Sequence, residues 1–242
     1  MVFRNRILIF TYRLSATLVG IFTLVAAFNL DAVETASWNS IRYLGTEITL
    51  YATAILLIET ILSIKGLRKS NKSGVPATFG QVLFMSVALE MALAIGHPFY
   101  FLFINIGNSN LVYFSQERLL IQLLMYIVFP LVVFLDWLFF SEKGNWKWHW
   151  LIYFGSVPVY YAGFSFLNHY IRTSTTFGTL IFDYRTFVNQ GIMGQLGGWA
   201  GVIIASLSMF ALYLGVATLL LFFSFLLSGK YARKNSPSSS EL

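Results

Sequence analysis

Six stretches of about 20 residues or more, each dominated by Leu, Ile, Val and Phe, are separated by short polar segments, and this alternation constrains the fold more than any motif. A helix rises about 1.5 Å per residue, so roughly 20 apolar residues cross the hydrocarbon core of a bilayer. The stretches fall at about 7–28, 42–64, 78–103, 119–140, 148–167 and 197–227. The expectation is an all-α, polytopic bundle of six transmembrane helices occupying 1–229 as one domain. A basic, then Ser/Pro-rich tail over 230–242 has the composition of a disordered segment.

Hydrophobic residues make up 57% of the chain and charged residues 11%, about half the share of soluble proteins. The connections are too short to hold a soluble domain. The net charge of +6 raises nucleic acid as a partner, but position argues against it. Arg4, Arg6, Lys65, Arg68, Lys69, Lys72, Lys143, Lys147, Lys230, Arg233 and Lys234 all fall at the two termini and in the second and fourth connections. The other side carries only Arg42, Arg118, Arg172 and Arg185. That asymmetry places both termini in the cytoplasm, and makes the basic excess a matter of topology and anionic lipid rather than nucleic acid. Cys is absent and His occurs three times. Disulfides, thiolate metal sites and a Cys nucleophile are thereby excluded, and no His spacing suits a metal. Paired mid-span histidines for heme are missing as well, so no cofactor is expected.

Arg4 and Arg6 before an apolar run resemble a signal peptide, but the run is long and interrupted by Arg13, which favours a retained helix. Pro98, after Gly96-His97, implies a kink or early end of span 3, and Pro130 sits within span 4. Trp146, Trp148 and Trp150 read as an interfacial belt. The connection His169–Leu196 is the longest and suits a lid. The pairs Gly194/Gly198 and Gly197/Gly201 allow close helix approach. No internal repeat stands out.

Ionisable residues inside spans are costly unless paired or facing a cavity, so each is a functional candidate. They sort by depth. An inner layer holds Arg13, Glu59 and Asp136, which read as an ion cluster fixing helix packing, or as carboxylates reaching the headgroups. An outer layer holds Glu47, Glu90, His97, Gln122 and Tyr126. Glu90 and His97 are seven residues apart and share a helix face. Gln122, Tyr126, Phe129, Val133 and Asp136 form one stripe with Met125 on its edge, and Thr46, Thr49 and Thr53 form a small stripe suited to helix contact. A His near a hydroxyl can act as general base for a nucleophile, which makes Thr46 and His97 the catalytic candidates. The outer layer as a whole has the layout of a pocket for a lipid or small amphipathic ligand.

Span 4 carries a resemblance. Met125-Tyr126-Ile127-Val128-Phe129-Pro130, continuing to Leu135-Asp136-Trp137-Leu138-Phe139-Phe140, resembles the fourth span of the Pr6Pr family of bacterial membrane proteins. Pro158-Val159-Tyr160-Tyr161 and, on span 2, Arg42-Tyr43-Leu44-Gly45-Thr46-Glu47-Ile48-Thr49 resemble further elements of that family, as do the six-span order and the length. The family is distantly similar to the eukaryotic androgen-induced membrane proteins, described as Thr hydrolases of fatty acid esters of hydroxy fatty acids. Carried over by motif, their His falls on Met125 and their Thr on Gly45. Met accepts no proton and Gly has no hydroxyl, so the resemblance implies the fold and a bacterial cytoplasmic membrane more than the activity.

Two readings follow. One is a Thr-dependent lipid-ester hydrolase in which Thr46 or His97 substitutes for the replaced positions. The other is a non-catalytic membrane protein, a small transporter or a lipid-binding accessory partner, in which Glu47 and Glu90 carry protons. Phe129 and Val133 separate the two layers on span 4, which weighs against a continuous route. Oligomeric state is left open.

Overall fold

The computed structural model describes residues 5–31, 44–68, 80–105, 119–141, 143–171 and 198–228. Helices account for nearly all of them, and no strand occurs among the described residues. The elements are α1 (Arg6–Asp31), α2 (Leu44–Arg68), α3 (Gly80–Asn105), α4 (Leu119–Phe140), α5 (Trp150–Ile171) and α6 (Gly198–Leu227). The lid expected in His169–Leu196 beyond residue 171, the tail 230–242, Gly194 and Gly197, and most of the charges used for orientation lie outside the described residues.

Four stretches are long and apolar enough to cross a membrane: Arg6–Phe28, Leu44–Ile64, Leu119–Phe140 and Leu207–Leu227. The described run Gly80–Gly96 of α3 is a shorter apolar helix. The outer surface matches that composition. Leu14, Leu18, Phe22 and Val25 on α1, Leu57 and Ile61 on α2, and Leu219, Phe222 and Phe223 on α6 are exposed, while Arg13, Glu59, Glu90 and Asp136 are buried. A greasy outer surface around an interior that holds buried charges is the reverse of a water-soluble bundle.

α1 packs along α2, α3 sits against α2, α4 and α6, and α5 lies against α6. Small and aliphatic residues fill the centre, with Ala52, Phe84, Val87, Ala88, Ala92 and Phe129 fully buried. Two tyrosine hydroxyls tie helices through otherwise intrahelical carbonyls. Tyr12 on α1 donates to the Val132 carbonyl of α4 at 2.9 Å, and Tyr51 on α2 to the Val82 carbonyl of α3 at 3.4 Å.

Helix ends follow local chemistry. The Asn5 side-chain oxygen accepts from the N–H groups of Ile7 and Leu8 at 3.1 and 3.2 Å, capping α1. α2 runs on to Arg68, one turn past the expected boundary, because nothing before the Ser/Asn/Gly/Pro segment breaks it. Pro98 lies inside α3 without ending it, so the expected early end is corrected. The residues beyond Pro98 stay helical to Asn105.

Pro130 has a different outcome. Leu124–Val128 form a π-turn, in which the Phe129 N–H reaches the Leu124 carbonyl five residues back. Pro130 has no N–H to offer the Tyr126 carbonyl and its ring would crowd that group; the wider turn immediately before it relieves the clash.

The tryptophans also depart from expectation. Only Trp148 is exposed as a belt residue should be. Trp150 is buried, and Trp146 stacks on Trp137 at 4.7 Å and meets Phe84 edge-on at 5.0 Å. The connection after α4 folds back because Gly144 adopts a φ of 81° and its N–H donates to Ser224 Oγ on α6 at 3.1 Å.

Candidate functional site

The inner layer is a compact cluster joining three helices. Arg13 on α1 donates from Nε to Asp136 Oδ1 on α4 at 3.1 Å. Its Nη2 lies 3.2 Å from Glu59 Oε2 on α2, and its Nη1 donates to Ser63 Oγ at 3.3 Å. All three charged side chains are at most 6% exposed. The carboxylates therefore do not reach out to headgroups. Both sit inside the bundle on one guanidinium, whose planar fork suits two acceptors.

The hydroxyls around the cluster are committed elsewhere. Thr17 donates to the Arg13 carbonyl at 2.8 Å, Thr60 to Leu56 at 2.8 Å and Ser63 to Glu59 at 2.7 Å. Each bonds one turn back along its own helix, the usual way for Ser and Thr to satisfy themselves in an apolar setting. Thr17 and Thr60 also meet each other across α1 and α2 at 3.1 Å.

Lys143 closes the end of the cluster beyond α4. Its Nζ donates to the carbonyls of Trp137 and Ser141 and lies 4.4 Å from the centre of the Trp137 ring. An ammonium there caps the last carbonyls of α4 and sits at the negative end of its dipole. Burial lowers the amine to about 8, against the opposing pull of Asp136.

In the outer layer Glu90 is 0% exposed, and neither carboxylate oxygen has a hydrogen-bond partner among the described residues. Tyr213 on α6 is within electrostatic reach of both Glu90 and Tyr126, and its hydroxyl also lacks a partner. Gly96 gives Tyr213 room, since a Cβ there would stand 3.0 Å from the ring. Thr49 is fully buried with its hydroxyl unpartnered, and Thr53 donates to the Thr49 carbonyl at 2.7 Å. Glu47 and Gln122 are half-buried. His97 stands on α3 next to Pro98, and its side chain lies outside the described residues.

The stripe expected on span 4 is corrected by the π-turn. The buried face runs through Met125, Phe129, Val133 and Asp136, while Gln122 and Tyr126 are half-buried. The π-turn adds one residue to that turn, and Met125 lies buried within it, one turn before Phe129. There it meets Gly45 on α2. A Cβ on Gly45 would lie 2.8 Å from Met125 Sδ and 3.2 Å from the Tyr126 hydroxyl.

Gly45 and Met125 thus face each other across α2 and α4, with a thioether in the space. Gly45 has no hydroxyl to become an alkoxide, and the Met125 thioether cannot take a proton from one. Thr46, beside Gly45, is buried. The geometry therefore offers a buried carboxyl and a phenol at mid-depth, and an ion cluster further in, with Phe129 and Val133 filling the space between.

Tyr213 and Lys143 are the residues that reading the chain did not single out as site residues. Tyr213 has a signal: it is a lone phenol within a long Leu/Phe-rich run, spaced with Met209, Val216 and Leu220 on one buried face. These features define an all-helical protein with membrane-compatible helices around two buried polar layers. No family model, curated protein or solved structure matches the chain.

Proposed function

We propose that this chain is a Pr6Pr-like, six-span integral protein of the bacterial cytoplasmic membrane, with both termini cytoplasmic, that acts without catalysis as a small proton-linked carrier. Glu90 carries the reading. A carboxyl with no exposure and no partner cannot keep its charge at low cost in an apolar bundle, so it takes up a proton there. Tyr213 and Tyr126 supply the phenols through which that proton exchanges. Phe129 and Val133 close the way inward and weigh against a continuous route, so the carrier reading requires a second conformation in which they part.

The test uses purified protein in liposomes carrying an internal pH dye and an imposed pH gradient. Wild type should dissipate the gradient several-fold faster than protein-free vesicles, and Glu90→Gln should return to the protein-free rate. Equal rates for wild type and empty vesicles overturn the carrier.

One observation favours the hydrolase as a second reading: Thr46 places a buried hydroxyl beside the Gly45–Met125 contact. Lipid-ester turnover by the same preparation, lost in Thr46→Ala and in His97→Ala, would establish it. Co-purifying lipid without turnover favours the carrier or an accessory, lipid-binding role.

A further inference from the structure

The inner cluster does not balance its charge. Arg13 brings one positive charge, and Glu59 and Asp136 bring two carboxyls, all inside the bundle. Both carboxyls lie against the same guanidinium, Asp136 Oδ1 3.1 Å from Nε and Glu59 Oε2 3.2 Å from Nη2. Yet Glu59 Oε1 and Asp136 Oδ2 have no donor among the described residues, and Glu59 Oε2 meets Arg13 Nη2 as an ion pair without hydrogen-bond geometry.

Among the described residues, the hydroxyls and the amine that neighbour the cluster donate to backbone carbonyls. From α1, Thr17 and Tyr12 donate to backbone carbonyls. From α2, Thr60 and Ser63 do the same. After α4, Lys143 spends its ammonium on the carbonyls of Trp137 and Ser141. Two ionised carboxylates on a single guanidinium would leave the triad with a net negative charge inside the bundle, offset among the described residues only by Lys143 from outside it, and with three carboxylate oxygens lacking a hydrogen-bond donor.

We propose that Glu59 and Asp136 hold one proton between them, making the triad a neutral proton-binding site in which Arg13 stays charged and the carboxyl O–H of one acid donates to the other. The proton belongs to the pair rather than to either residue, as in any closely coupled carboxyl dyad. This site sits on the Lys-rich side of the bundle, separate from Glu90 and independent of the carrier reading.

The experiment is infrared spectroscopy of the full-length protein in lipid, in the Glu90→Gln background, so that the signal of Glu90 is absent. A protonated-carboxyl C=O band should persist at neutral pH and shift down in D2O. Glu59→Gln and Asp136→Asn should each abolish it, because the remaining single carboxylate pairs with Arg13 and ionises. ¹³C-labelled Glu or Asp should shift the band without any further substitution, which keeps the test open if either variant fails to fold. Absence of the band in that background, or a band that neither label nor substitution moves, overturns the shared proton whatever the liposomes show.

Discussion

Gly20 sits where α1, α2 and α4 come together. A Cβ there would stand 2.3 Å from Thr53 Oγ1 and 2.7 Å from the Phe129 ring. Neither neighbour yields easily: Thr53 is β-branched and bonded to the Thr49 carbonyl, and Phe129 is fully buried. Gly20→Ala should therefore cost about 1–3 kcal/mol through overpacking, read as a melting temperature several degrees lower in detergent. Thr53→Ala in the same chain should restore most of the loss. Gly45→Ala should cost less, because it meets the flexible end of Met125. Residues of the inner cluster were legible in the sequence, since Arg13, Glu59 and Asp136 stand out in apolar runs. Gly20 and Tyr213 were not, because Gly and Tyr are common in membrane helices and only the partners on other helices give them meaning.

Among the elements, α4 departs furthest from a simple pattern. The limits of α4 coincide with the span expected over 119–140. Its internal register could not be read from hydropathy. Whether a proline produces a kink, a π-turn or no visible change depends on what the surrounding helices supply, and Pro98 and Pro130 give different outcomes in one molecule. Pro130→Ala should let an N–H reach the Tyr126 carbonyl and draw Leu124–Val128 into a regular α-turn, turning Met125 away from Gly45. The chain has no Cys, so a Gly45→Cys, Met125→Cys pair reports this directly. A short bismaleimide should join the pair with Pro130 present and lose most of its yield with Ala.

For the whole molecule, orientation rests on eleven basic residues against four. In intact cells an impermeant maleimide should label Arg185→Cys and leave Lys72→Cys untouched until the membrane is opened. The reverse pattern would invert the topology. The class of fold was legible because lipid imposes a simple rule on composition. The site was only half legible, because function depends on which polar groups from distant helices meet, and hydropathy does not encode those meetings.

The Arg13–Asp136 bond spans 123 residues of sequence, and that separation has a consequence for biogenesis. An unpaired Arg raises the insertion cost of the first helix by about 3 kcal/mol. Its acidic counterparts emerge from the ribosome only with the second and fourth helices, roughly ten seconds later at ordinary elongation rates. The leading segment must accordingly wait beside the translocon, half settled, until later segments arrive to complete it.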